Sequence, residues 1–247
     1  MFKKSAFLLT TLLVLSSTLQ AQTVIAKYAG EFMALGVGGR ALGMGGAFVA
    51  VADDVTSGYY NPAGLANLNY PQLALMHSEQ FGNLVNYDYG AVAIPFQNDM
   101  SFGLSIMRLG IDGIPDTRNA LIDANGDGII DINDDRLDYS RITEFSNQDW
   151  AFYLTFAKRQ TEDFYWGINA KIIRRDLAEF SATGIGFDVG AYYTPIENLF
   201  IGANLQDATT TLVAWSTGRN ELVSPTLKVG AAYKVVEFLG GYIMPAL

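Results

Sequence analysis

From about position 71 onward, apolar and polar residues alternate along the chain with the two-residue period that marks a β-strand. Eight stretches carry that alternation: 71–79, 86–94, 100–109, 149–157, 163–175, 183–194, 198–206 and 225–234. Most are about nine to twelve residues, a length that crosses a bilayer when the strand is tilted. In 100–109, Phe102, Leu104 and Ile106 fall on one face and Ser101, Gly103 and Ser105 on the other. In the next two stretches Trp150, Phe152, Leu154 and Phe156 oppose Ala151, Tyr153 and Thr155, and Trp166, Ile168, Ala170 and Ile172 oppose Gly167, Asn169 and Lys171. Ile185, Phe187, Val189 and Ala191 then oppose Gly186, Asp188 and Gly190, and Leu199, Ile201 and Ala203 oppose Gly202, Asn204 and Gln206. Side chains alternate across a strand, so each set covers one face of a sheet.

A soluble sandwich produces the same alternation with its apolar faces inward. The connections favour a barrel. Those at 97–99, 160–162, 196–197 and 236–237 read as short, those at 80–85, 110–148, 176–182 and 207–224 as mostly longer, and the two kinds alternate. A membrane barrel has short periplasmic turns and long extracellular loops. Trp150, Tyr165, Tyr192 and Tyr193 fall near strand ends, where an aromatic girdle is expected. The expected fold is therefore all-β, an antiparallel transmembrane β-barrel with its polar face toward the lumen. Phe102, Leu104, Phe152, Leu154, Ile168, Phe187 and Ile201 are assigned to lipid.

The pattern supplies eight full strands and the start of a ninth at 238–244, whereas bacterial single-chain barrels close with an even number. A barrel of about eight strands is filled by its own side chains and has no room for a plug. Two expectations follow: a barrel truncated at Leu247, or a smaller barrel with its N-terminal segment outside the lumen.

Composition adds a destination. Lys3 and Lys4 precede the apolar run AFLLTTLLVL and then SSTLQAQ, the layout of a secretory signal peptide cleaved after Ala21. The run is too short to span a bilayer comfortably. With no cysteine, a disulfide framework is excluded. The formal charge of −9 argues against a nucleic-acid surface. No later stretch reads as a membrane helix, so residence in a membrane requires a closed barrel.

Between the leader and the strands lies GVGGRALGMGGAFVAVADDVTSGYYNPAGLANL, residues 36–68. Clustered glycines permit close backbone approach, Asp53 and Asp54 are suited to cap a short helix, and Pro62 suits the first position of another. Neither G-x-G-x-x-G nor G-x-x-x-x-G-K-[ST] occurs, which removes the nucleotide-loop readings. The run GMGGAFVAVADD together with NPAGL resembles the N-terminal signature of FadL-like outer-membrane proteins, in particular the PorV/PorQ family. The likeness is dense over about thirty residues and rests elsewhere on the strand pattern alone. It implies a plug or hatch over 22–69 inside a barrel formed by 70–247. It also implies a function in the outer membrane of a Gram-negative bacterium. FadL-like members transport hydrophobic small molecules; PorV-like members are partners of secreted proteins in type IX secretion.

One motif carries inorganic chemistry. In DANGDGIIDIND, residues 123–134, Asp123, Asn125, Asp127, Asp131 and Asp134 stand at positions 1, 3, 5, 9 and 12 of a Ca²⁺ loop. Ile129 would lend its carbonyl at position 7, and Gly128 makes the sharp turn at 6. Aspartate replaces the usual bidentate glutamate at the last position, as in dockerin-type calcium repeats, which it resembles. The carboxylates would repel one another without a cation. The alternative is an acidic, solvated loop. The only histidine, His77, has no cysteine or second histidine near it in sequence, so packing or lumen lining is expected. Lys171, Arg175 and Asp188 share the polar face and could form a lumenal charge network, and Arg174 would face lipid near the outer end. With no nucleophile–base pair in view, no enzyme is expected. A second reading is a calcium-stabilised surface interaction protein anchored by its barrel.

Overall fold

Period-two alternation drives nearly the whole chain after residue 70 into strands. A computed structural model describes residues 30–247 except 125, 127, 129–132, 134, 239 and 240. The signal peptide expected over 1–21 lies outside the described residues. The protein is all-β, an antiparallel sheet of ten strands curled into a half-barrel. Strands β1 (Gln72–Gln80), β2 (Val85–Phe96) and β3 (Met100–Asp116) are followed by the small pair β4 (Leu121–Ile122) and β5 (Arg136–Leu137). Then come β6 (Thr143–Arg159), β7 (Phe164–Leu177), β8 (Phe180–Ile196), β9 (Leu199–Gln206), β10 (Thr211–Trp215), β11 (Asn220–Val223) and β12 (Thr226–Tyr233). A last hairpin joins β13 (Val236–Phe238) to β14 (Gly241–Ile243).

The order across the sheet is β1-β2-β3-β6-β7-β8, each strand antiparallel to its neighbour in sequence along the sheet. At β8 the pairing forks, with β10 on Ala182–Ile185 and β9 on Val189–Ile196. β9 and β10 are two halves of one strand interrupted at 207–210, and β11 and β12 are two halves of its partner. The eight expected strands are thus present, two of them split. Past β12, residues 245–247 continue the sheet, through mutual backbone bonds between Ala231 and Leu247 of 3.2 and 3.0 Å. Among the described residues β1 pairs with β2 alone, so the described sheet is open, a half-barrel consistent with the expected barrel.

The expected alternation of short and long connections fails. The stretch 176–182 is not a loop, because β7 and β8 stay paired up to Leu177 and Phe180 around a two-residue turn. Residues 207–224 are largely the hairpin β10–β11. Pairing between β3 and β6 runs from Met100 with Lys158 to Asp116 with Thr143, so the long loop shrinks from 110–148 to 117–142. Polar residues such as Asp176 and Ser181 read as loop, yet here they continue strands past the apolar band.

The faces are as the alternation assigns them. Leu75, Leu73, Leu154 and Ile185 are 80, 71, 61 and 59% exposed, and Phe102, Leu104, Phe152, Ile168 and Phe187 share their side. Thr155, Asn169, Asn204 and Asp188, on the other side, are at most 1% exposed. Two of the four girdle aromatics are misplaced by parity: Tyr165 and Tyr192 face inward, edge to face at 5.7 Å.

What buries the polar face is residues 30–68. The segment consists of tight turns, two short α-helices (Gly39–Gly43 and Ser57–Tyr60) and two 3-10 turns (Glu31–Ala34 and Pro62–Asn67), with Phe48, Leu65 and Val37 fully buried. Gly36 and Gly38, at φ of +85° and +76°, adopt backbone closed to other residues and let the chain fold back under two tyrosines. The Tyr59 hydroxyl accepts from the amide of Gly36 and donates to the carbonyl of Met33, and Tyr60 does the same for Val37. Pro62–Asn67 forms a 3-10 turn whose N-cap is Asn61, its side chain accepting from the Ala63 amide at 3.2 Å. Asp54 instead binds the Thr56 amide at 2.8 Å, one turn before the helix Ser57–Tyr60. The turn Pro62–Asn67 touches β2, β3, β6, β7 and β8, which a single short turn can do only inside a curled sheet. Residues 62–67 thus dock on the concave side of the described sheet.

Inward glycines make the contact possible. A Cβ on Gly167 would lie 2.5 Å from the carbonyl carbon of Pro62, and one on Gly103 2.7 Å from Leu65 Cδ1. Gly190 and Gly202 sit as tightly against Asn61 and Val49. Gly167→Ala is expected to destabilise the folded protein by about 1–3 kcal/mol through overpacking, while Ala170→Val on the opposite face stays within about 0.5 kcal/mol. Urea unfolding of the two variants checks this, and equal midpoints would mean that the turn does not press on β7.

Candidate functional site on the inner face

Three polar layers stack along the inner face of β7, each built by strand parity. In the first, Asn169 donates to the carbonyl of Gly58 at 2.7 Å and to Asp188 at 3.1 Å, while the Thr155 hydroxyl donates to Asn169 Oδ1 at 2.8 Å. Asn204 donates to the Tyr60 carbonyl at 2.8 Å, and Asn61 reaches the other way to the carbonyls of Ala191 and Val49 at 3.0 and 2.8 Å. These side chains supply partners for backbone groups of irregular turns that would otherwise be buried unpaired.

Two residues further along β7, Lys171 Nζ lies 2.8 Å from Asp188 Oδ1 and 2.6 Å from Asp207 Oδ1. All three groups are buried. Asp188 also accepts the amide of Asp207 at 2.8 Å, and the Thr211 hydroxyl donates to Asp207. Asp207 has φ of +54° and lies in the break between β9 and β10. That break aims its carboxylate at Lys171. Beside this layer is a cavity of about 390 Å³ between residues 30–34 and β12, with Tyr153, Lys171, Asp207 and Lys228 in its wall. The third layer pairs Arg175 with Asp149 at 2.8 Å and with Glu221 at 3.8 Å, the guanidinium lying over the rings of Phe32 and Trp215.

Beyond these layers β3, β6, β7 and β8 project past the apolar band. There Arg118 spans Asp116 at 2.7 Å and Glu179 at 2.6 Å. Hydrogen bonds from the Arg118 side chain, then from its backbone amide, hold the Asp116 carboxyl down at about 2. Arg118 likewise lowers Glu179. A depressed carboxylate contributes above its unfolded range near 4 and loses that contribution as pH falls through its folded value. The Asp116–Arg118 contact therefore persists until about pH 2. The Ser140 hydroxyl and amide lower Asp138 in the same way.

Of the calcium motif, Asp123 is described: its carboxylate accepts from the amides of Gly126 at 2.6 Å and Gly128 at 2.8 Å. Asn125, Asp127, Ile129, Asp131 and Asp134 lie outside the described residues. Pairing of Leu121 with Leu137 and Ile122 with Arg136 brings the ends of the motif together. Lys171 and Asp188 meet as the shared face predicts; Arg175 joins a separate pair. Arg174 points outward and binds Asp176 at 2.6 Å. His77 is not in the lumen: it lies on the exposed outer side, 2.6 Å from Asp88. Asp207 was hidden within an apparent loop, and Asn61 read only as the residue before Pro62. Nothing local marks either one.

Removing Lys171 leaves two buried carboxylates without their cation. Lys171→Met is expected to cost about 3–5 kcal/mol, and adding Asp207→Asn should recover part of it. Thermal unfolding of the single and double variants checks this; a Lys171→Met protein as stable as the parent would contradict a buried charge cluster.

The model of an uncharacterised protein family (UPF0164) matches residues 10–109, which take in the docked segment, β1, β2 and most of β3. No curated protein matches the chain.

Proposed function

We propose that the protein is a non-enzymatic outer-membrane β-barrel protein of the FadL-like, PorV/PorQ type. In this reading residues 30–68 are its lumenal hatch. It acts in the transport of hydrophobic molecules or as a partner of secreted proteins in type IX secretion. One observation carries the reading: the sheet is inverted, with its apolar face exposed and its polar and charged face buried. Soluble monomers rarely expose contiguous apolar patches larger than a few hundred Å², and here the patch extends across every long strand. Its edges have the chemistry of an interface. On one side His77, Asp88, Arg108, Trp150 and Arg174 are register partners on adjacent strands. Arg108 binds Asp88 at 3.1 Å and lies over the Trp150 ring. On the other side Lys158 pairs with Trp166. Between Trp150 and Lys158, β6 turns Phe152, Leu154 and Phe156 outward over about 26 Å of strand, comparable to the apolar band of about 25 Å in outer-membrane barrels.

Leu154→Lys is expected to destabilise the membrane-inserted protein by about 2–4 kcal/mol, and Tyr193→Lys near the strand end by about 0–1 kcal/mol. The mature protein should sediment with the outer membrane and require detergent for release. Recovery as a soluble periplasmic monomer would remove this reading.

A second reading, a calcium-stabilised surface interaction protein anchored by the barrel, is favoured by the bonds from Asp123 to the Gly126 and Gly128 amides. In it Asp123, Asn125, Asp127, Asp131, Asp134 and the Ile129 carbonyl hold one Ca²⁺, with an affinity of about 10⁻⁴–10⁻³ M as in extracellular modules. Limited proteolysis of intact cells should cleave within 124–134 only when a chelator is present, and Asp127→Ala should be cleaved at full calcium. Identical digestion with and without chelator would rule the ion out.

A further inference from the structure

Above the third polar layer the inner face becomes apolar again. Phe145, Leu177 and Phe180 continue the inward parity of β6, β7 and β8, and with Pro115 they wall a cleft of about 360 Å³ at the projecting end. On its rim Asp116 and Glu179 share one Arg118. We propose that this cleft docks an exposed segment of a partner protein that carries lysine or arginine beside apolar side chains. The inference rests on the membrane reading, which puts this end outside the band and in water.

Three features argue for that occupant. The walls are apolar and part-exposed, and the volume suits one or two buried side chains rather than a whole lipid. The rim has two carboxylates to one guanidinium, and among the described residues from 116 to 144 five carboxylates stand against three arginines, so the local field attracts cations and repels acidic segments. Phe145 and Phe180 also bring two aromatic rings to the wall, and a partner cation over a ring face is favoured relative to a neutral group. The third feature is rigidity. The turn between β7 and β8 holds Ala178 at φ of +50°, where glycine is the usual residue. It is fixed by the Ala178 amide on the Ser146 carbonyl at 3.2 Å and by Glu179 on Arg118. Strained backbone survives only where its surroundings over-determine it. A wall set in place before binding spares the ordering cost that weakens loop-mediated contacts.

The test is fluorescence anisotropy with the full chain in detergent and a short fluorescein-labelled peptide of alternating lysine and leucine. Matched peptides of glutamate with leucine, lysine with serine, and serine with leucine are the comparisons. The lysine–leucine peptide should bind at least about tenfold more tightly than each of the others, and more weakly as salt rises. Phe180→Ser and Phe145→Ser should each reduce it to the level of the lysine–serine peptide, which also subtracts any binding to the micelle. Glu179→Gln should weaken binding severalfold and flatten the salt dependence. Equal binding to the parent and both phenylalanine variants would overturn the proposal, as would equal binding of the glutamate–leucine peptide. Equal binding of the serine–leucine peptide would overturn it in favour of a purely apolar ligand. Should the chain fractionate as a soluble protein, the membrane reading falls, and the same titration without detergent still decides the cleft.

Discussion

A sheet that turns its apolar face outward must satisfy its polar face within. That constraint organises this protein. Curling brings Thr155, Asn169, Lys171, Asp188 and Asn204 to one concave surface, where water is displaced by residues 30–68. Each polar side chain then needs a partner, and most find it in the docked segment or across the neighbouring strand. The segment in turn has few helical or strand bonds of its own, and its carbonyls at Gly58, Tyr60 and Val49 are met by asparagines. The sheet and the segment complete each other's hydrogen bonding, and neither is satisfied alone.

Glycine makes this closure geometrically possible. At positions 103, 167, 190 and 202 the strand backbone itself forms the docking surface, and a methyl group would hold the segment away. Those same glycines leave room on the inner side of the strands for the docked segment, while leucines, isoleucines and phenylalanines such as Leu75, Phe102, Leu154, Ile185 and Phe187 stand on the outer side. The inversion of the sheet and the docking of the N-terminal segment are thus two results of one pattern.

Much of this was legible in the sequence because face assignment depends only on parity. Strand number, the exposed set from Phe102 to Phe187 and the meeting of Lys171 with Asp188 all follow from counting by two. Connection lengths were not legible, since a strand leaving its apolar band carries the residues of a loop. Asp176 and Ser181 are the example, register partners in β7 and β8. Tyr165 and Tyr192 misled by type: an aromatic at a strand end invites a girdle assignment, while parity turns both inward. Asp207 was lost because the break that aims it at Lys171 also interrupts the alternation that would have revealed its strand. Tertiary proximity of that kind leaves no local mark.

The central claim is that the exposed apolar face meets lipid. The absence of native cysteine allows single nitroxide labels to be placed at will. Labels at Phe152→Cys, Tyr153→Cys, Leu154→Cys, Thr155→Cys and Phe156→Cys, in protein reconstituted into vesicles, would report collision with oxygen, which concentrates in lipid, and with a water-soluble nickel chelate. The account predicts high oxygen and low nickel collision at 152, 154 and 156, and low collision with both reagents at 153 and 155. High nickel collision at the outward positions would place that face in water and contradict it.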